Sequence, residues 1–216
     1  MKKAVLIILL LPALACQKTS PGDGPAPSNN AANLGGEPAK SHSVKLADGE
    51  TALGSLFLKV PKAWTAVPIS SSMRRGHWRM SADTELIVYH FGQGGAGGTE
   101  ANLERWYSQF TQPDKRPTKE VAKRENVKTT GGKEAIVIDV SGQYVAAMRP
   151  GAEEKNNKPN HRMLAAIVPG LDGPYYFKLL GPDSSVGEHK KSFDEMVLSI
   201  RDGAPVKQTG AAHPAP

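Results

Sequence analysis

The feature that most constrains this chain is a set of strand-like runs without a polar face. In "ELIVYHF", residues 85–91, Leu86 and Val88 fall on one side and Ile87, Tyr89 and Phe91 on the other. "AIVIDV", residues 135–140, is likewise apolar at both parities. Successive strand residues point to opposite faces, so such runs need cover on both sides. Two segments can supply it. In "TEANLERWYSQF", Leu103, Trp106, Tyr107 and Phe110 recur at helical spacing. Thr99 is placed to cap that helix, and Glu100 suits the positive end of its dipole. In "DSSVGEHKKSFDEMVLSIR", Val186, Phe193, Met196, Val197 and Ile200 form a second stripe. Ser185 and Glu188 there have capping-box spacing. The expectation is an α+β fold, a mainly antiparallel sheet flanked by helices.

The remaining strands fit that frame. "SLFLKVP" ends at Pro61 and leads to "KAW"; "GHWRM" and "ELIVYHF" flank the turn "SADT". "NVKTT" and "EAIVIDVSG" flank "GGK", a second hairpin signal. "QYVAAM" and "RMLAAIV" are separated by a polar loop, and "YYFKLLG" follows "GLDGP". Trp64, Trp78 and Trp106 are expected in the core.

The two ends have a different character. Lys2 and Lys3 precede the apolar run "AVLIILLLPALA" and then Cys16, the only cysteine. A charged start and a short apolar stretch make a secretory signal, too short to span as a stop-transfer helix. A leftover cysteine in a secreted chain needs an explanation. Its place directly after "PALA" resembles a bacterial lipobox, with Ala13 where Leu is usual. The motif implies cleavage before Cys16, a diacylglyceryl group on its sulfur, and acylation of the new amino group. Two or more acyl chains give stable anchoring. In lipoproteins of this kind, Gln17 after the cysteine favours the outer membrane over the inner one. Residues 17–43 are rich in Pro, Gly, Ser, Asn and Ala without apolar period. Such a composition cannot offset the entropy of ordering, and the last residues read the same way. The expected organisation is a signal peptide at 1–15, a lipidated disordered tether at 16–43, an α+β domain at 44–202 and a disordered tail at 203–216.

Charge narrows the partners. Losing Lys2 and Lys3 leaves 25 basic against 21 acidic residues, so the formal charge falls from +6 to +4. That suits loose association with an anionic lipid or polymer and is not the footprint of a nucleic-acid binder.

Gly92, Gly94 and Gly97 have the spacing G-x-G-x-x-G between a strand and a helix. A dinucleotide turn needs a parallel strand soon after the helix and an acidic residue about 20 positions on. Here a polar segment with two prolines follows the helix, and Asp139 is too distant. The glycines read as an adaptable connection with positive φ available. The amides before Thr99 leave open an anion at the helix start.

No cofactor and no metal is expected. The six histidines lack H-E-x-x-H spacing, and a two-strand site of His77 and His90 has no third ligand. "GPDSSVG" is not a G-x-S-x-G elbow. Arg74, Arg75, His77 and Arg79, with Trp78 among them, could grip an anion or a partner. The favoured competing reading is a solvated edge strand whose charges block edge-to-edge pairing.

The order of three stretches carries a resemblance. "FLKVPKAW" opens the domain, "MRRGHWRM" and "ELIVYHFGQGGAGGTEANLERWYSQF" follow, and "YYFKLLGPDSSVGEHKKSFDEMVLSI" closes it. Over about residues 54–201 the chain resembles a family of secreted and lipid-anchored bacterial proteins with a PsbP-like α+β sandwich domain. The resemblance implies an assembly or binding module and brings no catalytic residues. The functional expectation is therefore a non-enzymatic envelope module, membrane-bound through Cys16, that engages an envelope protein or polymer. The alternative is a receptor for an anionic ligand or polymer.

Overall fold

The computed structural model describes residues 45–148 and 151–203. The signal peptide, Cys16, the tether and, beyond Gly203, the tail lie outside the described residues. In chain order the elements are β1 (Thr51–Leu53), β2 (Leu56–Leu58), β3 (Thr65–Ala66), β4 (Arg74–Arg79), β5 (Glu85–His90) and α1 (Thr99–Tyr107). Then come β6 (Phe110–Thr111), α2 (Thr118–Val121), β7 (Lys123–Lys128), β8 (Glu134–Tyr144), β9 (Lys158–Gly170), β10 (Gly173–Pro182), α3 (Asp183–Leu198) and β11 (Arg201–Asp202).

Eight strands form one sheet in the order β3-β4-β5-β10-β9-β8-β6, with β7 also pairing β8. Each of these pairings is antiparallel. The apolar runs fall where two-sided burial requires. On one face Leu86, Val88, Leu164, Ala166, Phe177 and Leu179 meet Val186, Phe193, Met196 and Val197 of α3. On the other face Ile138, Val140, Met163, Ala165, Ile167 and Tyr176 meet Leu103 and Trp106 of α1, with Phe110 beside them. The two helices thus cover opposite faces of an α+β sandwich, as their stripes require. All three tryptophans are buried.

Four details differ from the sequence reading. β1, β2 and β11 make a separate three-stranded sheet whose Leu53, Leu56 and Leu58 join the α3-side core. "SLFLKVP" therefore contributes to a second layer and not to the main sheet. The first helix ends at Tyr107, so Phe110 reaches the core from β6. Thr99 is not the cap: Gly98 holds that place, and Asn102 ties the turn from inside the helix. Its Nδ2 donates to the Ala96 and Gly98 carbonyls, each at 2.9 Å. Ser185 and Glu188 form no capping box, because α3 begins earlier, after Pro182. Ser185 Oγ instead accepts a bond from Thr84 at 2.8 Å and fixes the helix to the β4–β5 turn.

Among the described residues no helix is long and apolar enough to cross a membrane.

Candidate functional site

The glycine loop belongs to an antiparallel connection. β5 lies between β4 and β10, antiparallel to both, and the chain after α1 enters β6, antiparallel to β8. No parallel βαβ unit exists here to form a dinucleotide turn. Gly92, Gly94 and Gly97 have φ of 74°, 71° and 75°. These are left-handed conformations that a Cβ disfavours.

Through Leu103 and Trp106, α1 packs on Ile138 and Val140 of β8, on Met163, Ala165 and Ile167 of β9 and on Tyr176 of β10. Between α1 and strands β5 and β10 lies a cleft of about 170 Å³. Tyr89, Phe91, Trp106 and Tyr176 supply its apolar walls; Asn102, Arg105, Gln109 and Lys178 supply its polar groups. The aromatic rings brace one another. Phe91 lies parallel to Tyr89 at 6.3 Å, Tyr176 is tilted to Phe91 at 5.8 Å, and Trp106 meets Tyr176 edge-on at 6.3 Å. Asn102 Oδ1 accepts from the Arg105 guanidinium at 2.7 Å and so holds that cation at the mouth.

Lys178 is the unusual group. It stands mid-strand in β10, paired across the sheet with Ile87 and Ala165. Its ammonium donates to Gln109 Oε1 at 2.5 Å and lies 3.4 Å from the Tyr144 hydroxyl. The same nitrogen sits 5.2 Å from the centre of the Tyr144 ring. Burial disfavours its charged form and pushes its pKa down to about 8, with the Glu85 carboxylate pulling the other way. Burial raises the tyrosines around it, Tyr89, Tyr144 and Tyr176, so their hydroxyls stay protonated donors. A half-buried cation that has lost part of its water without gaining a bonded carboxylate is a good receptor for an anion.

The structure does not gather Arg74, Arg75, His77 and Arg79 into one strip. A bulge between Arg74 and Gly76 interrupts the alternation of β4. Gly76 and Trp78 turn to the α3-side core, where a Cβ on Gly76 would strike the Trp78 ring. His77, 7% exposed, is bonded to Glu85 at 2.8 Å. Arg79 is exposed and in register with Glu85, and Arg75 is half-buried. Arg74 hydrogen-bonds Tyr89 and so stands at the edge of the Lys178 cleft. His77 and His90 point to opposite faces, since His90 stacks on Tyr175 at 4.3 Å. They cannot share a metal. Among the described residues no group of three or more His, Cys, Asp and Glu side chains is arranged to hold a metal ion.

A second polar cluster serves the fold. Ser55 donates to Asp172, and the Tyr175 hydroxyl donates to the same carboxylate, 2.9 Å from Oδ2. The Ser55 amide bonds Tyr175 at 3.0 Å, and His90 Nε2 lies 3.2 Å from the Asp172 carbonyl. Bonds from Ser55 and Tyr175 lower the Asp172 pKa against the opposing effect of burial. Serine, histidine and aspartate meet here, but the serine bonds the carboxylate directly and no imidazole stands between them. A nucleophile activated by a base needs the opposite order. The cluster instead ties the β1–β2 turn to the β9–β10 turn. A wider hollow of about 560 Å³ is a surface groove with exposed Asp48, Lys59, Lys62 and Glu195 at its rim and buried Met196 beneath.

No protein-family model matches this chain, and no curated protein does. Among solved structures it is similar to the solution structure of cyanobacterial PsbP (CyanoP) from Synechocystis sp. PCC 6803. That match has 12% identity, covers 74% of this chain and 98% of that one, and has a TM-score of 0.42. It is also similar to LpqN of Mycobacterium tuberculosis, a protein involved in cell envelope biogenesis. Here identity is 13%, coverage is 71% of this chain and 90% of that one, and the TM-score is 0.38. The first of these structures is of a PsbP protein, from the family that the order of motifs resembles.

Proposed function

We propose that this chain is a non-enzymatic binding module of the bacterial cell envelope, held at a membrane by lipid on Cys16, and that the cleft at Lys178 receives an anionic group of an envelope component. The observation that carries the reading is the pairing of a half-buried cation, without a bonded carboxylate, with braced aromatic walls. Lys178 and Arg105 provide charge, Gln109 provides orientation, and Phe91, Trp106 and Tyr176 provide contact area. These are means of recognition. The Lys178 amine is held by an amide and a phenol, which orient it without taking its proton.

Anchoring is the sequence half of the reading. Cys16 directly follows the apolar run of a secretory signal, and Gln17 favours the outer membrane. A tether of this composition would reach roughly 30 Å from the lipid surface. The partner is then an anionic protein or polymer within that range.

Two measurements test the proposal. Radioactive palmitate should label the native chain and not Cys16→Ser. Isolated envelope fractions should retain the purified native chain and release Lys178→Met. Labelling that persists in Cys16→Ser removes the anchor. Equal retention of Lys178→Met removes the binding role of the cleft.

A further inference from the structure

Resting on that reading, we infer that the group taken by the cleft is a carboxylate carried on a flat apolar body, such as an arylcarboxylate, with the carboxylate on Lys178 and Gln109 and the body between Phe91 and Trp106 over Tyr176.

Three observations lead there. The first is the donor count. Of the three Lys178 N–H groups, one is given to Gln109 Oε1 and one is directed at the Tyr144 hydroxyl. One remains. With its oxygen engaged by Lys178, Gln109 keeps its amide N–H₂ for a ligand. Arg105 has one arm on Asn102 and offers the other from the mouth. Two or three donors from one side suit the two oxygens of a carboxylate. A phosphate dianion carries three acceptor oxygens around a tetrahedron and would leave part of its charge desolvated and unmet.

The second observation is the shape of the walls. The rings of Phe91 and Tyr89 are parallel to within 2°, and Trp106 stands at 82° to Tyr176. A planar ring can stack on Phe91 while its edge meets Tyr176. The third is size. The cleft holds about 170 Å³. A closed apolar cavity of about 150 Å³ accepts benzene. One ring with its carboxylate therefore fits, with the carboxylate at the polar end, and a sugar chain does not enter.

The test uses the full-length chain and four probes: benzoate, phenyl phosphate, benzyl alcohol and acetate, each titrated by calorimetry and by tryptophan fluorescence. Benzoate is expected to bind at least tenfold more tightly than the other three. Lys178→Met should weaken benzoate at least tenfold. Trp106→Phe should remove the fluorescence change and weaken calorimetric binding, because Trp106 lines the cleft while Trp64 and Trp78 lie on the opposite face. Phenyl phosphate binding as tightly as benzoate overturns the inference, as does benzoate binding unaffected by Lys178→Met. If no probe binds while envelope fractions still require Lys178, the carboxylate assignment falls and the broader binding role stands. If neither probes nor fractions depend on Lys178, both fall.

Discussion

Lys178 of β10 and Tyr144 of β8 are joined across the intervening strand β9: the ammonium stands 5.2 Å from the centre of the phenol ring. Such a contact offsets part of the cost of taking the charge out of water. The remainder appears in the pKa, about 8 against an ordinary value of 10.5. Glu85 of β5 is the charge that opposes this shift, and His77 is bonded to Glu85; Tyr89 of β5, Tyr144 of β8, Arg105 of α1 and Tyr176 of β10 stand around the same cleft. Below pH 8 the lysine is charged in folded and unfolded chains alike, and the full burial cost is present. Between pH 8 and 10.5 the folded chain sheds the proton while the unfolded chain keeps it, so stability rises with pH. Lys178→Met should therefore be more stable than the native chain at pH 7, on the order of 1–3 kcal/mol. The advantage should shrink as pH approaches 10.5. Urea unfolding of both proteins across pH 7–10.5 gives the comparison, and a difference independent of pH contradicts the depressed lysine.

Arg162 and Asp139 form a fork-to-fork pair, Nε to Oδ1 at 2.8 Å and Nη2 to Oδ2 at 2.7 Å. The side chains are 20% and 12% exposed, and the guanidinium also lies 3.5 Å from Asp183 at the start of α3. The pair joins β8, β9 and α3. Removing one partner leaves a largely buried charge alone, which costs about 3–5 kcal/mol when burial is complete. Arg162→Ala should lose about 2–4 kcal/mol by chemical denaturation. Arg162→Lys should recover only part, because an ammonium cannot make both parallel bonds. Full recovery by lysine removes the argument from geometry.

The two-sided apolar runs were legible because burial on both faces leaves a mark at every position. Ile138 and Val140 serve the α1 side of β8 while Ala135 serves the α3 side. The small sheet left no such mark: β1, β2 and β11 have 3, 3 and 2 residues, too few for a period. The arginine cluster was read by adjacency, but β4 sends neighbours to opposite faces and its bulge shifts the count. Lys178 was missed because "YYFKLLG" reads as an apolar strand. Its signal was present, however. A single lysine between Tyr176 and Leu180, on the same face of a central strand, must either be neutralised or used. What no sequence pattern reveals is that α1 packs so that a cleft remains between the helix, β5 and Lys178 of β10.

The glycines of the β5–α1 loop allow a direct check on why they are there. A Cβ at Gly92, Gly94 or Gly97 would meet nothing within 4 Å, so crowding does not select glycine. The positive φ does. Alanine at any one of the three should cost about 1 kcal/mol of stability. Gly98 has φ of −71° and caps α1, so Gly98→Ser should gain a few tenths of a kcal/mol. Thermal melts of the four variants make the comparison. Alanine tolerated without loss at all three positions would show that the loop relaxes and that the left-handed geometry is not required.

Glu50 and Arg201 set the acid limit of the small sheet. The carboxylate, 5% exposed, receives two bonds from the guanidinium, one of them 2.8 Å from Nε to Oε1. The Ala47 amide donates to the same group at 2.8 Å. Arg201 also lies over the Phe57 ring at 4.8 Å and donates to the Lys45 carbonyl. The turn before β1 is thereby held to β11. The arginine bonds lower the Glu50 pKa from 4.5 to about 2, against a smaller opposing effect of burial. The stabilisation is complete above pH 4.5 and is lost as pH falls through 2, since only the unfolded chain takes up the proton in between. Glu50→Gln should be less stable than the native chain at pH 7, and the two should converge towards pH 2. Asp172, also lowered but held by Ser55 and Tyr175, contributes separately, so Asp172→Asn should leave the Glu50 difference intact. Urea midpoints between pH 5 and 2 for the three proteins provide the readout. A Glu50→Gln curve running parallel to the native one across that range would mean that the carboxylate titrates normally and that the pair does not hold the turn.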